Sequence, residues 1–209
     1  RFFDTAENYQ DGESERRYGA FLTPRYREHV FLMTKSTARD ARGAREHLEG
    51  SLRRLQTDVI DLWQVHGVED PDDVAGRIQG GVVDEMVRQK EAGRVRHIGF
   101  TGHRRPSAHL AVLERTQVLE TCQMPINVLD PSYESFVTGV LPQLVERQIG
   151  VLAMKTLAFG RFFGVGLDPE APRVIPGRVS LAEALGFVWS LPVSELIHGP
   201  GDRTHLRAA

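Results

Sequence analysis

Three short apolar segments, evenly spaced along the chain, each end in a polar side chain, and this spacing constrains the fold more than any other feature. Asp4, Lys35 and His66 follow one another at intervals of 31 residues. Successive parallel strands joined by crossover helices produce such intervals, because each unit needs one strand and one helix. The three side chains are therefore expected together at one edge of a parallel sheet or barrel.

A tyrosine adds a proton donor to this group. Tyr9 lies five residues after Asp4, in a polar loop that contains glycine. A phenol is a poor acid near neutral pH, but a cation at hydrogen-bonding distance favours the phenolate, so Lys35 would make Tyr9 a usable general acid. Asp4 would hold the ammonium group, and a neutral His66 would orient a carbonyl oxygen. The group is suited to protonating an oxygen while a hydride from a nicotinamide cofactor attacks the carbon.

Strand and helix patterns alternate along the whole chain. Strands are predicted near residues 1–4, 30–34, 59–65, 95–100, 121–124, 150–154 and 195–197. Apolar residues recur at helical spacing around four positions between them: Leu48, Met86, Leu144 and Leu185. Ser180 and Glu183 predict a capping box at the start of the last helix. The alternation indicates parallel βα units in one domain over 1–209, with a loop from Gly160 to Gly177 over the barrel mouth.

The stretch from Phe3 to Gly19 resembles the FDTAxxYxxGxSExxxG signature of the aldo-keto reductases. The segments TKS at 34–36 and DLWQVHG at 61–67 lie where that family has its catalytic lysine and histidine. The family's catalytic tetrad is matched, residue by residue, by Asp4, Tyr9, Lys35 and His66. The resemblance continues through IGFTGH, AMKTLAFG and IHGPGDRTHL, and so covers nearly the whole chain.

This resemblance implies a particular α/β fold, the (β/α)8 TIM barrel. A complete barrel of this kind typically needs about 250 residues, whereas the chain has 209. The chain also enters its first predicted strand almost at once. We therefore expect that the first strand and helix of the barrel, and its C-terminal end, are missing from this chain.

The resemblance also implies where a nicotinamide would bind, and here the chain departs from the family. A Ser-Asn pair and a glutamine hold the nicotinamide amide in the family, and the matching positions are Thr101, Gly102 and Gln123. Thr101 keeps the hydroxyl, whereas Gly102 has no amide. Met154 replaces the aromatic residue that stacks on the nicotinamide, and a thioether packs there with less defined geometry. Lys155 would meet the pyrophosphate with its charge.

Further cofactor contacts are expected at Leu157, in the AMKTLAFG segment, and at Gly199. The family's marker for the adenosine 2′-phosphate falls on Gly199, Pro200 and His205, and none of the three matches. Arg203 would supply a charge from the neighbouring position, since a guanidinium is well suited to phosphate. NADPH is the cofactor that the family implies, and NADH is the alternative.

Composition argues against several other classes of protein. The net charge of -2 gives no electrostatic reason to expect nucleic acid, and no apolar run approaches the length that crosses a bilayer. The single cysteine, Cys122, excludes an internal disulfide and fits a reducing compartment such as the cytoplasm. His97, His103 and His109 recur every six residues, which is neither a strand nor a helical period, so no metal site is expected. His103 is expected to line the pocket.

The sequence thus predicts an NAD(P)H-dependent aldo-keto reductase that reduces aldehyde or ketone carbonyls of small molecules to alcohols. Its oligomeric state is not defined by the sequence. A cofactor-binding sensor or regulatory subunit with little turnover is the alternative, which the divergent nicotinamide contacts favour and the intact tetrad disfavours. A truncated chain with an open barrel edge that neither binds nor reacts is a third possibility.

Overall fold

The structure is a computed structural model that describes residues 1–157, 173–175 and 179–197, with only the backbone described at 173–175. The chain divides into two compact units, Arg1–Cys122 and Gln123–Ala209. Organisation as a single domain over 1–209 stays a prediction.

The first unit contains four strands that pair in parallel and in chain order. They are β1 (Phe2–Asp4), β2 (Phe31–Ser36), β3 (Ile60–Val68) and β4 (Val95–Gly102). Its helices are α1 (Glu13–Phe21), α2 (Thr23–Tyr26), α3 (Ala41–Leu55), α4 (Pro71–Gln79), α5 (Val82–Glu91) and α6 (Pro106–Arg115), with a 3-10 turn at Arg27–His29. A fifth strand, β5 (Thr121–Pro125), crosses the boundary between the units.

Burial explains why these segments fold as they do. Nearly every residue of β2 and β3 is buried, which is typical of parallel strands covered on both faces. Helix α3 instead buries one stripe, which contains Leu48 and Leu55, and its first turn is capped because Asp40 accepts a 2.7 Å hydrogen bond from the Gly43 backbone. It ends at Gln56, which adopts a left-handed conformation with φ of 51°.

Strand register explains the spacing of the polar strand ends. Asp4 is aligned with Met33, so Lys35 lies two residues further along β2; Lys35 is aligned with Gln64, so His66 lies two residues further along β3. Because side chains alternate with a period of two, each of these steps keeps the next side chain on the same face of the sheet. The sequence interval thus becomes a spatial cluster.

The second unit contains β6 (Gly150–Met154), which pairs in parallel with β9 (Glu195–Ile197). Its helices are α7 (Phe136–Gly139), α8 (Leu141–Glu146) and α9 (Leu181–Trp189), with a 3-10 turn at Asp130–Ser132. The predicted capping box is confirmed, because Ser180 accepts from the Glu183 backbone and the Glu183 side chain accepts from the Ser180 backbone. No helix in the described parts of the chain is long and apolar enough to cross a membrane.

The predicted strands all occur, with ends shifted by up to three residues. The prediction of a loop from Gly160 to Gly177 is wrong at three residues. Residues Arg173–Ile175 form a strand, β7, which pairs antiparallel with β8 (Val179–Ser180). Strands this short carry little periodic signal, since three residues do not establish an alternation. The other residues of that stretch lie outside the described residues, and at β7 only the backbone is described.

An ion-pair cluster between α3 and α5 predicts how stability depends on pH. The Glu85 side chain is fully buried and accepts from Arg45 at 2.8 and 3.0 Å and from Gln89 at 2.7 Å. The hydrogen bond from Arg45 outweighs burial and, with Gln89 and Arg88, lowers the pKa of Glu85 from 4.5 to about 2. A carboxyl whose pKa is depressed on folding stabilises the fold above its unfolded pKa, and this contribution is lost as pH falls from 4.5 toward about 2.

We therefore expect Glu85→Gln to lower the free energy of unfolding at pH 7 by about 1–2 kcal/mol, because the charge-assisted hydrogen bonds from Arg45 and Arg88 are weakened. The loss stays modest because the two half-exposed arginines regain water. The variant's stability should also fall less steeply with acid than that of the wild type. Urea unfolding at several pH values between 7 and 3 measures both effects. Glu13→Gln, in an exposed ion pair with Arg17, is the matched control. Equal acid dependence in Glu85→Gln and the wild type would contradict the prediction.

Candidate active site

The ammonium group of Lys35 is the centre of the cluster at the strand ends. Lys35 is 1% exposed, and its Nζ forms a short ion pair with the Asp4 carboxylate and donates to the Thr5 carbonyl at 2.7 Å. The same Nζ donates to the Tyr9 hydroxyl at 3.3 Å and lies 4.8 Å from the centre of the Tyr9 ring. A buried charge is tolerated only when it is paired and hydrogen-bonded, and these contacts satisfy that condition.

His66 completes the cluster as a neutral imidazole. Its ring centroid lies 5.6 Å from that of Tyr9, and the two rings meet edge to face. Burial, and then the charge of Lys35, lower the pKa of His66 from 6.5 to about 4. The side chain is therefore uncharged at neutral pH and offers one N–H donor. All four residues that were predicted as the tetrad are brought together.

The loop after β1 presents Tyr9. Parallel pairing continues past the strand, because the Thr5 backbone donates to Met33 at 3.1 Å and the Glu7 backbone donates to Lys35 at 3.3 Å. Just after Tyr9 the chain turns, because the three residues from Gln10 to Gly12 have left-handed φ values, and α1 then begins. Tyr9 lies on this turn and is 37% exposed. Its hydroxyl is thus tied to Lys35 while the ring remains accessible to a small molecule.

The candidate nicotinamide residues of the first unit differ in their fit. Thr101 lies on the same face of the sheet as Gln64, and its hydroxyl is buried without a hydrogen-bond partner among the described residues. A side chain at Gly102 has no space, because a Cβ there would lie 2.5 Å from His109 and 2.9 Å from Val68. Thr101 therefore offers an unused hydroxyl, whereas position 102 is closed to the amide that the family places there.

The second unit holds further candidate cofactor residues. Gln123 and Met154 are buried on β5 and β6. Lys155 follows β6 with a left-handed φ of 57°, and burial lowers its pKa. Leu157 packs in an apolar cluster with Leu181 and its neighbours on α9. The remaining candidates, Gly199 and Arg203, lie outside the described residues, and the role of every one of these positions stays a prediction.

The three regularly spaced histidines make separate contacts. His97 contacts Glu120 at 3.2 Å, and His109 is buried against Phe100. The ring of His103 lies 6.3 Å from that of His66, next to the tetrad, and its role in lining a pocket stays a prediction. No group of three or more metal-ligating side chains is found in the described part of the chain.

Sequence reasoning missed a carboxylate next to the tetrad. Glu7, two residues before Tyr9, accepts from the backbone and the hydroxyl of Thr37 at 2.9 and 2.6 Å and lies 3.1 Å from His47. Its position between Asp4 and Tyr9 was the only available signal. The partners lie in the loop after β2 and on α3, and no local pattern connects them with Glu7.

Comparison with known proteins shows which family this chain resembles. The model of the Aldo/keto reductase family matches residues 1–186. Aldo-keto reductase YhdN from Bacillus subtilis is 33% identical over 172 residues, which cover 77% of this chain and 49% of that protein. The solved aldo-keto reductase AKR11C1 from Bacillus halodurans, in its holo form, is 23% identical, with a TM-score of 0.72 over 99% of this chain and 74% of that chain. An aldo/keto reductase from Klebsiella pneumoniae, solved in complex with NADP and acetate, is 26% identical, with a TM-score of 0.61 over 76% of this chain and 54% of that chain.

The fold is that of the (β/α)8 barrels, as in the solved aldo-keto reductases, so the predicted fold class is confirmed, and the family model indicates an oxidoreductase. The chain belongs to the Aldo/keto reductase family. It spans about half the length of the curated relatives it matches, 49% of YhdN and 43% of Protein tas from Escherichia coli.

Proposed function

We propose that this chain carries the catalytic centre of an NAD(P)H-dependent reductase that converts aldehyde or ketone carbonyls of small molecules to alcohols. The observation that carries the proposal is the position of the Lys35 ammonium, which contacts the Asp4 carboxylate and the Tyr9 hydroxyl at once. An ammonium group at hydrogen-bonding distance from a phenol favours the phenolate, and so helps the phenol to give up its proton.

In this proposal Tyr9 donates its proton to the carbonyl oxygen of the substrate. The phenolate that remains lies next to the Lys35 ammonium, whose donor atom is 3.3 Å from the oxygen. Asp4 and the Thr5 carbonyl fix that ammonium, so the positive charge is already in position when the negative charge develops. A nicotinamide supplies, when bound, the hydride that the carbonyl carbon accepts.

His66 orients the carbonyl. Because the pKa of His66 is lowered to about 4, the imidazole is neutral above that pH and donates one hydrogen bond rather than acting as an acid. It lies edge to face with Tyr9, so a carbonyl oxygen between them would receive a hydrogen bond from each. Two donors on one oxygen fix the direction of the carbonyl relative to Tyr9.

The first unit offers one atom suited to the cofactor amide. The buried hydroxyl of Thr101 makes no hydrogen bond to the described residues, and the family resemblance places a hydroxyl contact to the nicotinamide amide at this position. We propose that Thr101 contacts the nicotinamide, with Gln123, Met154, Lys155, Leu157, Gly199 and Arg203 as the further contacts that family resemblance supports. The similar Klebsiella pneumoniae reductase was solved with NADP, which supports NADPH as the preferred cofactor, with NADH as the alternative.

Titration of NADPH into the purified chain, followed by nicotinamide fluorescence, tests binding, and loss of NADPH absorbance with a simple aromatic aldehyde tests turnover. We expect saturable binding and aldehyde-dependent oxidation of NADPH. Binding without turnover would instead indicate the sensor or regulatory role. No binding of either NADPH or NADH would contradict the proposal for this chain. Repeating the titration with NADH measures the preference, and equal affinities would remove any role of Arg203 in choosing between the two cofactors.

A further inference from the structure

A hydrogen-bonded group, the Glu7 clamp, joins three separate segments of the first unit beside the tetrad. The Glu7 clamp consists of Glu7, Thr37 and His47. One oxygen of Glu7, Oε1, accepts from the Thr37 backbone at 2.9 Å and from the Thr37 hydroxyl at 2.6 Å, and lies 3.1 Å from His47 Nδ1. The loop that carries Tyr9 is thereby attached to the loop that follows Lys35 and to helix α3.

The carboxylate is held in its charged form within this clamp. The Glu7 side chain is only 8% exposed, so burial opposes ionisation, but hydrogen bonds from His47 and Thr37 outweigh burial and lower the pKa of Glu7 to about 2. In return, the bond to Glu7 raises the pKa of His47. The clamp is therefore a set of charge-assisted hydrogen bonds, which are stronger than neutral ones.

The partners of Glu7 are themselves fixed. The Ala38 backbone donates to the Ser36 hydroxyl at 3.2 Å, and that hydroxyl lies 2.9 Å from His47 Nδ1. The buried guanidinium of Arg77 donates to the Ala38 carbonyl at 3.3 Å. The end of β2 and the loop after it are thus hydrogen-bonded to residues of α3 and α4, and Glu7 connects that loop to the exposed turn on which Tyr9 lies.

We propose that Glu7 is a positioning residue for the reaction, which holds the Tyr9 hydroxyl in hydrogen-bonding range of Lys35 by fixing the turn after β1 onto the loop after β2. This inference rests on the proposed reductase function. Glu7 does not touch the Tyr9 hydroxyl itself, and its proposed effect on the reaction is exerted through the turn that carries Tyr9. Misplacement of a reacting group by about 1 Å is enough to cost two orders of magnitude in rate, so even a modest loosening of this turn has a measurable effect.

The test compares Glu7→Ala, which removes the clamp, with Glu7→Gln, which keeps an acceptor oxygen for Thr37. We expect Glu7→Ala to lower kcat for aldehyde reduction about tenfold or more, and Glu7→Gln to stay within about threefold of the wild type. The dissociation constant of NADPH should change less than about twofold in both, because the clamp lies outside the proposed cofactor contacts. Glu46→Gln, an exposed carboxylate next to His47 that pairs with Arg42, is the matched control and should match the wild type.

Two measurements that do not use activity accompany the kinetics. Amide hydrogen exchange at residues 5–10 and 35–38 should accelerate in Glu7→Ala and stay slow in Glu46→Gln. The pKa of His47, followed by NMR, should fall toward 6.5 in both Glu7 variants, since its raised value depends on the carboxylate. If Glu7→Ala fails to fold, Thr37→Val removes one donor from the other side of the clamp and should give a smaller fall in kcat with the same unchanged NADPH affinity.

The outcomes separate this inference from the function on which it rests. A wild-type chain without aldehyde turnover contradicts the proposed function. A wild-type chain that turns over, with a folded Glu7→Ala that keeps full kcat, overturns the positioning role alone. Equal losses in Glu7→Ala and Glu7→Gln also overturn it, because hydrogen bonds to Thr37 would then not be what positions Tyr9.

Discussion

Replacing Tyr9 by phenylalanine is expected to lower kcat for aldehyde reduction by about a thousandfold, within the range that a positioned general acid contributes. The substitution removes one oxygen and little else. Phenylalanine keeps the ring that lies 4.8 Å from the Lys35 ammonium and edge to face with His66, and Lys35 keeps its contacts with Asp4 and Thr5. The dissociation constant of NADPH should therefore stay within about twofold of the wild type.

Steady-state kinetics with the aldehyde, together with the NADPH fluorescence titration, measure both quantities. Tyr26→Phe is the matched control, because Tyr26 is a half-exposed tyrosine at the end of α2, away from the tetrad, and it should keep full activity. Full turnover in Tyr9→Phe would show that another group protonates the carbonyl oxygen. Loss of NADPH binding in Tyr9→Phe would show instead that the variant disturbs the fold of the loop.

The tetrad was predictable because each of its members is fixed by a local rule. Parallel strands with crossover helices recur at a constant interval, and the register carries Asp4, Lys35 and His66 to one face in equal steps of two residues. Tyr9 follows Asp4 in the same loop, so its position needs no knowledge of distant contacts. Interval and residue type predicted that the side chains meet, and the resemblance to the family signature assigned them as a tetrad.

The Glu7 clamp could not be predicted in the same way. The clamp joins a loop, a second loop and a helix, which contribute Glu7, Thr37 and His47. The spacing of these residues along the chain follows neither the strand period nor the helical period. Only the packing of α3 against β2 brings His47 within 3.1 Å of the carboxylate. Polar contacts between non-repeating positions depend on the tertiary structure, which a single sequence does not display.

The surroundings of position 102 also could not be predicted from the sequence. The sequence indicates that Gly102 lacks the amide of the family, and nothing more. The structure adds that His109, one turn inside α6, fills the space that a side chain at 102 would need, at 2.5 Å from a Cβ. The space beside position 102 is thus occupied by a residue seven positions further along the sequence, which the six-residue spacing of the histidines did not reveal.

Helix α1 packs so closely on α3 that Gly19→Ala is expected to lower the free energy of unfolding by about 3 kcal/mol, since overpacking against a backbone has no side chain that can yield. A Cβ on Gly19 would lie 2.0 Å from the Arg54 carbonyl oxygen and 3.1 Å from the carbonyl carbon of Leu55. Alanine is favoured over glycine inside a helix by at most about 1 kcal/mol, so the clash outweighs the gain in helix propensity. The helices must separate, or α1 must detach.

Gly76→Ala in α4 is the matched control, because no atom lies within 4 Å of a Cβ at that exposed position. There the helix propensity acts alone, and we expect stabilisation by about 0.5–1 kcal/mol. Urea unfolding of both variants beside the wild type gives two shifts of opposite sign. Stabilisation by Gly19→Ala of the size seen for Gly76→Ala would mean that α1 does not approach α3 at Gly19. A loss confined to Gly19→Ala would show that the absence of a side chain at this position is what lets α1 pack directly on the backbone of α3.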